Sequence, residues 1–277
     1  MGGAVLDIIS HPTTTLQCGT SNPGVTLESP GGVGRNVVEA VGLLGGVRVG
    51  FWTSFGADTR GAVLRKSLEG GETVVYDGRG GERTATYLAM LDEKKDLHAA
   101  VADMKALEFI ESPAKSVFEK ASIFVFDGNP LPGTIETALE RCSGTACEAF
   151  FEPTSVEKAL RVVSLDLLPR INMMKPNLEE LFAIGEQLGV HGEEEVVARG
   201  VWALMGRETK TRTRRLFVSM GSAGVLVVDE KGVRRFVGEE LEVSAGRATG
   251  LLTYYWCDDE RRYNFRMRLT FCHTTRA

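Results

Sequence analysis

The chain has 277 residues, 43% apolar and 25% charged, with a net charge of −5. That is enough for a full core in one large domain or two, and it gives no electrostatic reason to expect nucleic acid or an anionic membrane as partner. No run reaches the ~18 apolar residues of a membrane span, and no basic segment followed by an apolar core marks a secretory signal. Five cysteines, at 18, 142, 147, 257 and 272, are odd in number and lack CxxC spacing. They argue against a disulfide framework or zinc site and for reduced thiols in a cytoplasmic protein. Glycine is the outlier at 32 residues, many in pairs, as in a chain needing tight turns and close backbone approach.

Met1–Ile9 opens as a short apolar run carrying one acid, Asp7. A first strand would have apolar residues ahead of Gly2-Gly3, so the start is expected to be clipped. Residues 11–30 are rich in Thr, Pro, Ser and Gly and read as loop with short strand pieces. Apolar positions 33, 37, 38, 41 and 44 predict a helix after Pro30-Gly31-Gly32. A strand over 47–53 and a helix over 58–69, stopped by Gly70-Gly71, come next. Strands over 73–76, 84–91 and 97–101 complete the first third, the last two joined by the polar turn Asp92-Glu93-Lys94-Lys95.

From there strand and helix alternate. Strand ends fall at Asp127-Gly128-Asn129-Pro130, Glu152-Pro153-Thr154 and Lys175-Pro176-Asn177, each leading into a helix. A longer helix from about Glu193 precedes strand 216–220, the turn Gly221-Ser222-Ala223-Gly224 and strand 225–228. Repeated strand–helix units predict an α/β fold: a central, mostly parallel sheet with helices on both faces and a small β element laid over the site. Ligands in such sheets bind at the carboxyl ends of the strands, where Asp127, Asn129, Glu152, Asn177 and Glu180 gather. The basic cluster Lys210, Arg212, Arg214 and Arg215 reads as a solvated loop.

Four features carry chemistry. Gly31-Gly32-Val33-Gly34-Arg35-Asn36 opens a helix, yet it lacks the third glycine and the acid of a dinucleotide fingerprint, and no Gly-Lys-Ser/Thr makes it a phosphate loop. Its glycines allow close approach of a ligand, or form a plain helix-start turn. Asp7 could grip vicinal hydroxyls with Gly31, Gly32 and Asn36, because a carboxylate accepts two hydrogen bonds in fixed geometry, or it could be a loop anchor. Asn177 and Glu180, one helical turn apart, could hold a magnesium-bound water or a phosphate oxygen at a helix N-terminus. They equally fit an N-cap with Glu at N3. Ser219-Met220-Gly221-Ser222-Ala223-Gly224 is a turn whose amides could meet a nucleotide, or only a hairpin.

Taken together and in order, these pieces resemble the PfkB (ribokinase-like) carbohydrate kinase family from Met1 to about Val243. Gly31–Ala40 with Leu44-Gly45 looks like its N-terminal signature, and Ser54-Phe55-Gly56-Ala57-Asp58 with Gly61 like its G-x-D-x-x-G element. Lys175–Glu180 resembles its N-x-x-E segment, and Ser219–Gly224 its nucleotide-side turn. Arg83–Leu88, Asp96–Met104 and Phe151–Ser155 look most like pseudouridine kinases. The resemblance implies a kinase domain over 1–245 with lid strands within about 10–30 and 73–101, and transfer of the ATP γ-phosphoryl group to a primary hydroxyl. By that resemblance Asp7, Gly31, Gly32 and Asn36 bind the sugar. Asn177, Glu180, Ser219, Gly221 and Gly224 border ATP, and Glu180 serves Mg2+. A small-molecule sugar or nucleoside is the implied partner, with a homodimer formed through the β lid.

One segment departs from the family. Its signature Thr-Gly-Ala-Gly-Asp, which supplies an anion-binding helix start and the base, should follow the strand near Leu241–Ser244. The chain reads Ser244-Ala245-Gly246-Arg247-Ala248-Thr249-Gly250 instead, with no aspartate until Asp258. No base is thus assigned, and residues 246–277 read as an aberrant tail without apolar period. Gly-Ala-Gly-Asp written GGG-GCG-GGC-GAC and read one base later gives Gly-Arg-Ala-Thr, the sequence of residues 246–249. A frameshift or misread intron boundary in a GC-rich gene is the resulting expectation. Genomic DNA without such an overlapping frame would rule it out and favour a divergent, non-catalytic pseudokinase end. Another sugar specificity, a regulatory binding protein and, remotely, a hydride-transfer enzyme are the competing readings.

Overall fold

The computed structural model describes residues 1–69, 72–78, 81, 83–211 and 213–237. Gly246–Gly250, the missing base and the aberrant tail lie outside the described residues.

β1 (Val5–Pro12) pairs antiparallel with β2 (Gly24–Gly31), in register from Val5↔Gly31 to Pro12↔Gly24. The loop expected over 11–30 is therefore half strand. Alternation at Val25, Leu27 and Ser29 lies hidden under a Gly, Pro and Ser-rich composition, and pairing with β1 satisfies its backbone. α1 (Val33–Leu44), β3 (Val49–Thr53), α2 (Thr59–Ser67) and β4 (Thr73–Asp77) follow, then the hairpin β5 (Thr86–Leu91) and β6 (Leu97–Asp103). The second part runs α3 (Lys115–Phe118), β7 (Ile123–Asp127), α4 (Pro132–Ser143), β8 (Glu148–Glu152), α5 (Val156–Ser164) and β9 (Met173–Met174). It continues with α6 (Leu178–Gln187), α7 (Glu194–Leu204), β10 (Arg215–Ser219), β11 (Val225–Asp229) and β12 (Gly232–Phe236).

The main sheet has the order β12-β11-β10-β9-β8-β7. Its strands β7 to β10 are parallel, and β11 and β12 add antiparallel. The N-terminal residues extend it. The Met1 nitrogen donates to Val125 O at 2.7 Å, Asp127 N donates to Met1 O at 3.2 Å, and Gly2 N donates to Trp52 O at 3.0 Å. Residues 1–3 thus bridge β7 to β3, which pairs in parallel with β4.

A second, four-stranded sheet of order β2-β1-β5-β6 forms the small β layer. Of the strands expected in it, that over 73–76 belongs elsewhere: β4 pairs with β3, because Val49–Thr53 offers it a parallel partner across the α2 crossover. The larger core packs Phe124, Phe126, Ala149, Phe151, Leu216 and Val218 of the parallel strands against Leu139, Val162, Ile184 and Val201 of α4 to α7. A second core gathers Leu6, Ile8, Val38, Phe51, Phe55 and Leu64, joining β1 and β3 to α1 and α2. The basic cluster is only in part a solvated loop. Arg214 is held by Glu230 at 2.9 Å and stacks over Trp202 at 4.3 Å, and Arg215 opens β10.

Candidate active site

The candidate site joins the carboxyl ends of the parallel strands to the β1–β2 pair and the start of α1. Asp7 lies in β1, and its carboxylate rests against Gly31 across the β1–β2 pair. A Cβ on Gly31 would stand 2.1 Å from Asp7 Oδ2. Gly32, at φ 92, caps α1 where a Cβ would meet Gly3 O at 2.5 Å, and a Cβ on Gly34 would meet the Gly2 backbone at 2.8 Å. These glycines let the start of α1 lie directly on residues 2–5, which no side chain there would permit. Arg35, buried, donates to the Asn36 side-chain oxygen and, at 3.0 Å, to Glu39. Burial pushes the Asp7 carboxyl above the usual carboxylate range, and the Arg35 charge works against that rise.

Asp127, 1% exposed at the end of β7, ties three segments together. Its Oδ2 accepts from Gly3 N at 2.8 Å and Gly34 N at 2.9 Å, and its Oδ1 accepts from Asn129 N at 2.9 Å. Lys158, in the first turn of α5, donates to Asn129 Oδ1 at 2.6 Å. Burial lowers the Lys158 pKa, and Asp127 opposes that. At the end of β8, in register with Asp127, Glu152 pairs with Lys175 at 2.9 Å. Burial pushes the Glu152 carboxyl up to about 7; Lys175 resists the rise, and Glu180 and Asp127 add to it. Thr154 follows at φ 77 with a buried hydroxyl that has no partner among the described residues. A β-branched residue at positive φ is a strained placement of the kind that clusters at working sites.

Asn177 caps α6 from the end of β9. Its side-chain oxygen accepts from Glu180 N at 2.8 Å, and Glu180 Oε2 accepts from Asn177 N at 2.8 Å. The capping box is therefore present on both sides. It leaves the other Glu180 oxygen without a hydrogen bond among the described residues, and burial pushes that carboxyl up, opposed by Asn177 N–H and Lys175. Ser219 bridges to Asn177, its N donating to Pro176 O at 3.0 Å. Gly221 (φ 57) and Gly224 (φ 90) shape the turn into β11, and a Cβ on Gly221 would meet nothing within 4 Å. That is open space against the backbone.

The expected residues fall into two groups. Asp7, Gly31, Gly32 and Asn36 surround the start of α1, and Asn177, Glu180, Ser219, Gly221 and Gly224 surround the start of α6. Asp127, Glu152 and Lys175 link them along adjacent strand ends in one rim. The sequence reading noted Asp127 and Glu152 without a role, and it missed Arg35, Lys158 and Thr154. Arg35 stood in plain view, since an arginine between a glycine loop and an apolar helix stripe must be buried or turned outward. The donor set fits magnesium better than a protein-caged metal. No cluster of three or more His, Cys, Asp or Glu is found among the described residues, and one carboxylate with a free oxygen suits an ion that keeps its waters.

The pfkB family carbohydrate kinase model matches residues 12–244. The chain belongs to that family. Its members are kinases, phosphotransferases acting on hydroxyl groups, and ATP use follows from membership. Curated relatives include pseudouridine kinase of Escherichia coli, 27% identical over 242 residues, spanning 84% of this chain and 72% of the relative. Pseudouridine kinase of Arabidopsis thaliana is 28% identical over 193 residues, spanning 68% of this chain and 50% of the relative. Among solved structures, Arabidopsis thaliana ribokinase with ribose and ATP superposes with a TM-score of 0.67 at 16% identity, covering 90% of this chain and 80% of that one. Thermotoga maritima ribokinase gives 0.67 at 16% identity, over 88% and 78%. The fold of this PfkB kinase is ribokinase-like. No helix among the described residues is long and apolar enough to cross a membrane.

Proposed function

We propose that the scaffold serves to phosphorylate the 5′-hydroxyl of pseudouridine from ATP, and that the chain as it stands lacks the base for that step. The observation that carries this reading is the single rim in which Asp127 joins the glycine entry of α1 to the strand ends leading to Asn177. On this reading Asp7, Gly31, Gly32 and Asn36 hold the sugar hydroxyls, with the four-stranded layer closing over them to exclude water. Asn177, Glu180, Ser219, Gly221 and Gly224 border the nucleotide, whose phosphates gain from the amides at the start of α6. Glu180 would hold magnesium, which would supply positive charge to offset that of the phosphates. Such transfer depends on positioning and on a base for the hydroxyl proton, and residues 244–250 supply no carboxylate for it.

The curated relatives and the stretches at 83–88, 96–104 and 151–155 favour pseudouridine over ribose or another sugar. A second reading, a binding protein that keeps the pocket without turnover, is favoured by the absent aspartate. A homodimer through the lid belongs to the same proposal. Leu88 and Val101, directly opposite each other on β5 and β6, are 42% and 67% exposed. Sedimentation of the pure chain as a monomer at micromolar concentration would remove the dimer.

Calorimetric titration without ATP tests the reading. Pseudouridine should bind, and ribose should bind at least ~10-fold more weakly, since each missing set of base contacts costs roughly 1–3 kcal/mol. Equal or absent heats for both would defeat the assignment.

A further inference from the structure

Arg35 is 4% exposed, an uncommon position for a charged side chain without full pairing. Its Nη2 donates to the Asn36 side-chain oxygen and to Glu39, whose side chain is 37% exposed. Its Nε has no partner among the described residues, and its backbone N donates to Gly3 O at 3.1 Å, which fixes it over the N-terminal segment. The same charge acts on Asp7.

A guanidinium carries five donors and no acceptor. Whichever end of the Asn36 amide faces it must be the oxygen, so the NH2 group is left for another partner. We infer that Arg35 is the positioning residue of the sugar site, fixing Asn36 as a hydrogen-bond donor toward it. This rests on the sugar-site reading of Asp7 and Asn36 given above. One donor and one acceptor, fixed in polarity, select a ligand bearing vicinal hydroxyls, one accepting from Asn36 and its neighbour donating to Asp7. A ribosyl group has such a pair; its 2′-deoxy counterpart does not. Without Arg35 the amide is free to rotate, and the site loses both affinity and its preference for the diol.

The test is a binding cycle on the full chain, using calorimetry with pseudouridine and 2′-deoxypseudouridine. Arg35→Met, close in length and uncharged, should weaken pseudouridine binding roughly 10–100-fold, the size of a lost charge-assisted contact. In an Asn36→Ala background the same change should cost no more than about 3-fold, because residues acting through one contact are non-additive. Arg35→Met should also shrink the preference for pseudouridine over the deoxy analogue. Equal losses in both backgrounds with the preference intact mean a purely structural role and overturn the inference. Should Arg35→Met fail to fold, Glu39→Gln keeps the arginine but removes its ion-pair partner. It should weaken binding a few-fold in the parent and not in Asn36→Ala, and equal effects in both would again overturn the inference. A parent chain that binds neither ligand defeats the sugar-site reading itself; a parent that binds, with additive variants, defeats only the role of Arg35.

Discussion

A chain re-expressed in the frame that places Gly-Ala-Gly-Asp across codons 246–249 should phosphorylate pseudouridine at least ~10²–10⁴-fold faster than the chain described here, the usual worth of a positioned base. The gain should exceed that range if the glycines also restore backbone donors for the transferred phosphoryl group. A primary hydroxyl is a poor nucleophile until its proton is taken, and the strand-end carboxylates are committed elsewhere: Asp127 to three backbone N–H groups, Glu152 to Lys175 and Glu180 to the cap of α6. Binding should change far less than rate, since the sugar contacts proposed above lie at the start of α1. A coupled ADP-release assay on both chains measures the difference. Equal rates, or a gene without such a frame, would show that the tail is genuine and that the chemistry, if any, lies elsewhere.

The second large effect is on stability. Asp127→Asn should lower the melting temperature by roughly 6–15 °C, from about 3–4 kcal/mol of lost stability in a chain of this size. Two carboxylate oxygens accept three backbone N–H groups, from Gly3, Gly34 and Asn129. An amide offers one acceptor and turns an NH2 group on at least one donor, leaving buried N–H groups unpaired at the junction of β7, α1 and the N-terminal segment. Because Gly34 is one of them, ligand affinity should fall with stability. A thermal melt within about 2 °C of the parent would mean that the junction is held by backbone packing alone.

Much of the fold was legible because its period is regular. Apolar positions 33, 37, 38, 41 and 44 gave α1, and each strand of the parallel set ended at a polar cluster that the structure puts at the carboxyl edge. β2 was not legible, since its alternation is carried by Val25 and Leu27 among Gly, Thr, Glu, Ser and Pro, and only pairing with β1 stabilises it. The placement of β4 was not legible either. Strand pairing across a crossover is a tertiary choice, and Thr73–Asp77 carries no mark of its partner.

In the site, the glycines were readable as close approach, though what they approach, residues 2–5, was not. Asn177 and Glu180 read locally as a cap, and the cap is there; a cap and a phosphate site use the same helix end, so that ambiguity is built into the chemistry. Asp127 is legible in the sequence as a polar strand end without a role, and its part as an internal staple depends on backbone donors 93 and 124 residues away.

The most direct measurement is a crystal structure of the chain with pseudouridine and a non-hydrolysable ATP analogue. The ribosyl group should lie between Asp7, Gly32 and Asn36, and the terminal phosphate should point toward it from the Asn177 and Gly221 side of the same rim. Ligands found on separate faces of the sheet, or a nucleoside bound away from the start of α1, would contradict the kinase reading.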